Sequence, residues 1–194
     1  CLGGKCPVID ECFVEKARAE AKEVDVVVTN HAFMAIDAFE GRFMLPEHDL
    51  LVVDEGHELV DRVTSTITDE LTPGMVRLAA KRARTADSSA QLDDTAVALE
   101  TAMATLPERR LDGIPEQLAI ALTTVRDAAR AVQSELKPAP GSQADGAQQL
   151  AVAAVGEVFD TSARILEERE LDVLWNRVDN RRGPVLQVAP MSVA

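Results

Sequence analysis

The sequence predicts α/β segments interrupted by a largely α-helical inserted domain, and three observations carry that prediction. Apolar, β-branched runs flank one helical stretch over residues 1 to about 60. From about residue 72 to 168, apolar residues recur at intervals of three and four, the period of packed helices. Strand-like segments return after residue 170. The chain therefore leaves a sheet, builds a helical bundle and comes back to sheet.

The elements follow in order. Phe13 to Glu23 is rich in Ala, Glu and Lys and reads as helix. Asp25-Val-Val-Val-Thr29 and Leu50-Leu-Val-Val53 are expected as strands, because unbroken apolar runs of this length suit a parallel sheet covered on both faces. Thr72-Pro73 starts a helix, with a capping hydroxyl before a proline at the first helical position. Leu92, Ala96, Leu99, Met103 and Leu106 form one apolar stripe; Leu118, Leu122, Val125, Ala129, Val132 and Leu136 form a second. Ala151, Val155, Val158, Ser162 and Ile165 form a third. Between the last two lies Lys137-Pro-Ala-Pro-Gly-Ser-Gln-Ala-Asp-Gly146, a loop by composition. Leu171 to Val178 and Pro184 to Ala189 read as strands around the turn-rich Asp179-Asn-Arg-Arg-Gly183.

Bulk properties narrow the function. The chain has 194 residues and a net charge of -13, with 33 acids against 20 Lys and Arg. That balance argues against a broad basic nucleic-acid face. Aromatics are 3% of residues and Tyr is absent, so base stacking has few candidates. No apolar run approaches the roughly 18 residues of a membrane span, and a cytoplasmic protein without membrane contact is expected. The first residue is Cys, and the last ten stop inside an unfinished strand and turn, so a piece of a longer protein is expected.

Leu50-Leu-Val-Val-Asp-Glu-Gly-His57 concentrates the chemistry. A carboxylate at the end of a strand suits Mg²⁺ held through water, and a neighbouring carboxylate suits polarising a water that attacks a γ-phosphate. Asp54 and Glu55 fit these roles, Gly56 lets the backbone turn off the strand, and His57 is placed to sense nucleotide through hydrogen bonds. The same residues also fit a solvated strand-to-helix turn whose acids cap the next helix. Cys1, Cys6 and Cys12, spaced C-x4-C-x5-C, are all the cysteines of the chain. Three thiols in one short segment point to zinc or an iron–sulfur cluster more than to a disulfide framework, and the fourth ligand is not a cysteine of this chain.

Taken in order, the cysteine spacing, Val28-Thr-Asn-His31, and Val52-Val-Asp-Glu-Gly-His57 followed by Glu58-Leu59 resemble the iron–sulfur superfamily 2 DNA helicases of the DinG and XPD type. The resemblance covers the whole chain, the helical zone by position more than by motif. It implies the end of a [4Fe–4S] domain over 1–24, part of the first motor domain with its DEAH-like box over 25–65, a helical arch domain over 66–170, and a return to the motor domain over 171–194, ending near Val188-Ala-Pro-Met191. It also implies an ATP-dependent helicase acting on single-stranded and forked duplex DNA, with 5′ to 3′ polarity, in repair or replication.

Carried over, Asp54 holds Mg²⁺, Glu55 is the base for water attack, and His57 couples nucleotide state to the motor. Gly56 stands where the motif's name has alanine. Cys1, Cys6 and Cys12 are the second, third and fourth cluster ligands. Asn30 and His31 match the family's Asn-His step, where helix capping by Asn30 is the alternative. The chain has no G-x-x-x-x-G-K-[ST] loop to cradle phosphates, so by itself it is expected to be inactive. Phosphate contacts have candidates in Lys81, Arg82 and Arg84, in Arg109 and Arg110, and in Arg181 and Arg182, each of which also reads as a solvated helix end or loop.

Two rival classes follow from the same residues. One is a non-enzymatic interaction module whose cysteines bind zinc. The other is a metallohydrolase built from His31, His48, Asp49, Asp54 and His57, which lacks the i, i+4 histidine pair that places two ligands on one helical face. The bundle itself is testable: limited proteolysis is expected to cut first within Lys137–Gly146 and to spare the Leu118–Leu136 stripe, and a first cut inside that stripe contradicts the helical bundle.

Overall fold

In the computed structural model, which describes residues 9–40, 44–137, 146–167 and 170–191, the chain divides after Ile67 into two units. Cys1, Cys6 and all of the 137–146 loop but its two ends lie outside the described residues.

Among its described residues the first unit holds three α-helices, α1 (Phe13–Glu20), α2 (His31–Glu40) and α3 (Leu59–Thr66), with α2 packed on α3. Neither expected strand is in a sheet. Residues 25–29 and 50–53 carry no ladder hydrogen bonds, and their apolar side chains face outward, Val28 at 91% and Val52 at 82% exposure. The correction has a simple cause. A strand is a property of a pair, and no neighbouring backbone among the described residues offers these runs its N–H and C=O groups. The α/β character of the chain instead comes from the second unit.

There, α4 (Pro73–Arg82), α5 (Ser89–Ala104), α6 (Glu116–Glu135) and α7 (Gly146–Leu166) pack each on the next, and α7 closes on α4. Thr72 caps α4, its hydroxyl accepting from Met75 N at 3.0 Å, and Pro73 is the first helical residue. All three stripes face inward: Leu92, Leu99, Leu122, Val125, Val132 and Val155 are wholly buried, with Leu106 at the margin. Glu135, at the end of α6, accepts from both the N–H and the hydroxyl of Ser88, which supplies the N-terminus of α5 with a cap from another helix.

A four-stranded antiparallel sheet in the order β1-β4-β3-β2 completes the unit, built from β1 (Asp69–Leu71), β2 (Arg110–Leu111), β3 (Asp172–Asp179) and β4 (Gly183–Pro190). β3 and β4 are the expected hairpin. Asp179 Oδ1 accepts from the N–H groups of Arg181 and Arg182, both at 2.9 Å, and Gly183 takes φ +74°, the left-handed residue that closes a three-residue hairpin loop. β1 and β2 are too short for a periodicity to reveal them. The hairpin shares its unit with the helices: Leu71, Leu186 and Val188, with Leu111 and Leu174, belong to the same core as the helical stripes. The described residues of 171–191 share the unit and the apolar core of the helices.

Arg164, in the last turn of α7, ties the helices to the sheet. Its guanidinium donates to Asp69 of β1 at 2.7 Å and to both carboxylate oxygens of Asp172 of β3 at 2.8 and 2.9 Å. Those hydrogen bonds, led by Asp172, hold its pKa above the ordinary arginine value despite burial. On the sheet's other face, Glu70 accepts from Arg177 at 3.0 Å, Arg182 at 2.5 Å and Gln187 at 2.7 Å. Partial burial pulls the Glu70 carboxyl up, but the bonds from Arg182, Gln187 and Arg177 together hold it below its ordinary 4.5. A lowered folded pKa means stability that is complete above 4.5 and lost as pH falls through the folded value. Denaturation followed by Trp175 fluorescence between neutral and strongly acid pH should therefore show a loss of stability that Glu70→Gln makes shallower. An identical acid limb in wild type and Glu70→Gln would remove Glu70 from the account.

Candidate functional site

The acidic motif forms a tight turn after the Leu50–Val53 run. Glu55 takes φ 48° and ψ 42°, the one non-glycine residue with positive φ among the described residues. A left-handed conformation costs an ordinary residue about 1–2 kcal/mol, so neighbouring bonds must hold it. They are visible: Asp54 Oδ1 accepts from Glu55 N at 2.8 Å, and Glu55 O accepts from Glu58 N at 2.8 Å, which starts the short 3₁₀ turn Gly56–Glu58 leading into α3. The expectation for Gly56 needs correcting here. The special φ falls on Glu55, and a Cβ added to Gly56 would meet only Val53 Cγ1 at 3.9 Å, an ordinary contact, so alanine fits at this position.

The turn leaves its charged groups in solvent. Glu55 and His57 side chains are 67% and 75% exposed, with Glu55 Oε2 3.3 Å from His57 Nδ1. His31, at the start of α2, joins the motif from a distance of 23 residues in sequence: its Nε2–H donates to the Asp54 carbonyl at 3.0 Å. A carbonyl only accepts, so Nε2 carries the proton. Asn30 is a helix cap, Oδ1 accepting from Phe33 N at 2.8 Å while its carbonyl accepts from Met34 N at 3.1 Å. The capping alternative holds for Asn30, and His31 has a second part that spacing did not reveal. The one sequence signal for it was positional: Asn30-His31 and Asp54-Glu55 both sit where an apolar run ends.

Two exposed carboxylates on adjacent residues fit Mg²⁺. That ion keeps several waters and takes one or two carboxylates beside the phosphate oxygens of a nucleotide, so a full protein cage is not required. Among the described residues no three His, Cys, Asp or Glu gather as a metal site. The metallohydrolase set does not come together: His48 Nδ1–H donates to the Pro46 carbonyl at 3.1 Å instead. Cys12 is a free, partly buried thiol at the N-cap position of α1, and Cys1 and Cys6 lie outside the described residues.

The basic candidates separate. Lys81 and Arg82 occupy the last turn of α4 with Arg84 just beyond, whereas Arg109, Arg110, Arg181 and Arg182 all belong to the sheet and its turns. Arg182 is committed to Glu70 at 2.5 Å. Among the described residues no helix is long and apolar enough to cross a membrane.

No family model matches the chain. It is 40% identical over 207 aligned positions to the ATP-dependent helicase DinG of Mycobacterium tuberculosis, a match that takes in all of this chain and 31% of that protein. The ATP-dependent DNA helicase YoaA of Escherichia coli is 45% identical over 65 residues, 31% of this chain and 10% of its own length. The ATP-dependent DNA helicase DinG of Salmonella typhimurium is 43% identical over 82 residues, 40% of this chain and 11% of its own. The chain thus spans about a third of the length of the curated relatives that match it end to end. Along its whole length the chain is therefore similar to one segment of the helicases named DinG.

Proposed function

We propose that this chain is the segment of an ATP-dependent DNA helicase that carries its nucleotide-hydrolysis acids and a helical arch domain. The observation that carries the reading is the held turn at Asp54-Glu55-Gly56-His57, in a chain similar throughout to helicases named DinG. Asp54 would hold Mg²⁺, which would supply charge neutralisation at the phosphate oxygens. Glu55, exposed and fixed by its left-handed backbone, orients the attacking water and takes its proton. His57 faces Glu55 and passes the state of that carboxylate to the rest of the motor. His31 anchors the turn through the Asp54 carbonyl, so the Asn30-His31 step positions the acids without contacting nucleotide.

Hydrolysis then drives translocation on single-stranded DNA and unwinding of forked duplex, 5′ to 3′, in repair or replication. Residues 25–65 belong to the first motor domain, and 66–170 form the arch. Cys1, Cys6 and Cys12 would be three ligands of a [4Fe–4S] cluster, a reading that their spacing supports.

In the full-length protein, Glu55→Gln is expected to keep ATP binding and cut turnover by at least about a hundredfold, the lower end for losing a general base. Near-normal turnover would sink the assignment. Cys6→Ser, purified without oxygen, is expected to lose the broad visible absorption of the cluster and the unwinding activity while much of the ATPase survives. Zinc in place of iron in the unsubstituted protein would overturn the cluster and leave the motor reading standing.

A further inference from the structure

The hairpin of α4 and α5 segregates its charge. Helix α4 carries Arg77, Lys81 and Arg82 and no acid, whereas α5 carries Asp93, Asp94 and Glu100 and no Lys or Arg. The two helices pack on each other, and one ion pair links them, Arg77 to Glu100 at 2.5 Å. That pair fixes the register of the hairpin. Counted from it along both helices, Lys81 and Arg82 stand level with Ala96 and Thr95, within one helical turn of Asp94 and Asp93. Even so, none of these four charges pairs with an opposite one among the described residues.

Helical spacing accounts for this. Leu78, Lys81 and Arg82 are exposed at i, i+3 and i+4 on α4, and Asp94, Val97 and Thr101 are exposed at the same kind of interval on α5, with Asp93 beside them. Both rows therefore face solvent and not the groove between the helices. Each row also keeps a large aliphatic side chain in water, Leu78 at 45% exposure and Val97 at 60%. The core does not need either, since Val76, Ala79 and Ala80 on α4 and Leu92, Ala96 and Leu99 on α5 fill it. On α6, by contrast, Arg126 pairs with its own neighbour Asp127 at 2.7 Å. The outer face of the hairpin is thus a basic row beside an acidic row, each with one apolar residue.

We propose that this face pairs two copies of the chain, with α4 of each copy lying on α5 of the other. A two-fold axis running along the hairpin exchanges the two helices and keeps their levels. Lys81 and Arg82 then meet the partner's Asp93 and the partner's Asp94, and Leu78 comes beside the partner's Val97. An interface of this kind is isologous and closes at two copies. A polyanion fits the face less well. It would gain the basic row but be repelled by the acidic one, which lies one helix spacing away, about 8–10 Å, no more than the Debye length of about 10 Å at 0.1 M salt. Two short helices offer a small face, so the dimer is weak and salt opposes it. The inference uses the second unit alone and is independent of the helicase reading.

Sedimentation velocity of the full-length protein over a range of concentrations is expected to show a reversible monomer–dimer equilibrium. Raising salt from about 0.1 to about 1 M, which shortens the Debye length from about 10 to about 3 Å, is expected to shift it to monomer. Lys81→Glu together with Arg82→Glu is expected to weaken the dimer at least about tenfold, because every ion pair across the two-fold becomes a repulsion. Asp93→Lys together with Asp94→Lys is expected to do the same. Mixing the two doubly substituted proteins restores opposite charges at both helix pairs, and dimer is expected to return to the wild-type level. All four positions are exposed, so helix content by circular dichroism is expected to match the wild type throughout. A wild-type protein that stays monomeric at every concentration, a dimer indifferent to salt, or folded charge-reversed variants that fail to recombine would overturn the proposal. A monomer that retains oligothymidylate through Lys81 and Arg82 would assign the basic row to nucleic acid and overturn it as well.

Discussion

Four helices and one face of a sheet share a single apolar core, and the second unit depends on that sharing. The helices are amphipathic, with apolar stripes on one side only, and stripes of this kind stabilise a helix chiefly by packing against a partner. The sheet needs the core as much: β1 has three residues and β2 two, lengths that do not persist as strands without a packed face. Arg164 then sets where the two layers meet. A partly buried ion pair of this kind adds position more than stability, because desolvation offsets much of its attraction. Its bidentate grip on Asp172 and its reach to Asp69 set the end of α7 over β1 and β3, with β4 between them.

The first unit is organised on a different principle. Its apolar runs have no ladder partners among the described residues, yet the turn between Asp54 and Glu58 is held by its own hydrogen bonds. Local bonds account for this. Asp54 holds the amide of Glu55, Glu55 holds the amide of Glu58, and Asn30 caps the helix from which His31 reaches the Asp54 carbonyl. A turn held by such bonds does not need the two apolar runs to pair, and its left-handed strain lies at Glu55, the residue proposed as the base.

Charge shows the same separation of scales. A net charge of -13 excludes a broadly basic face, but it says nothing of where individual arginines stand. Arg177 and Arg182 are neutralised by Glu70 and Asp179, while Arg110 and Arg181 pair with no acid among the described residues. Antiparallel pairing of β2 with β3 brings Arg110, 65 residues away in sequence, to the side of Trp175.

Much of this was legible in the residues. Periodicity determined the bundle, since a stripe such as Leu118 to Leu136 has only one face to bury, and Thr72-Pro73 and Asp179 to Gly183 marked a helix start and a hairpin turn through local hydrogen bonding alone. The acids of the motif were legible for the same reason. Tertiary structure decided the rest: that Asp25–Thr29 and Leu50–Val53 find no strand partner among the described residues, that the hairpin packs on the helices, that Glu55 and not Gly56 takes the left-handed turn, and that His31 meets Asp54. Each of these depends on groups far apart in the chain or on which neighbour is present. A backbone hydrogen bond needs two partners, and a sequence read from one end to the other specifies only one of them at a time.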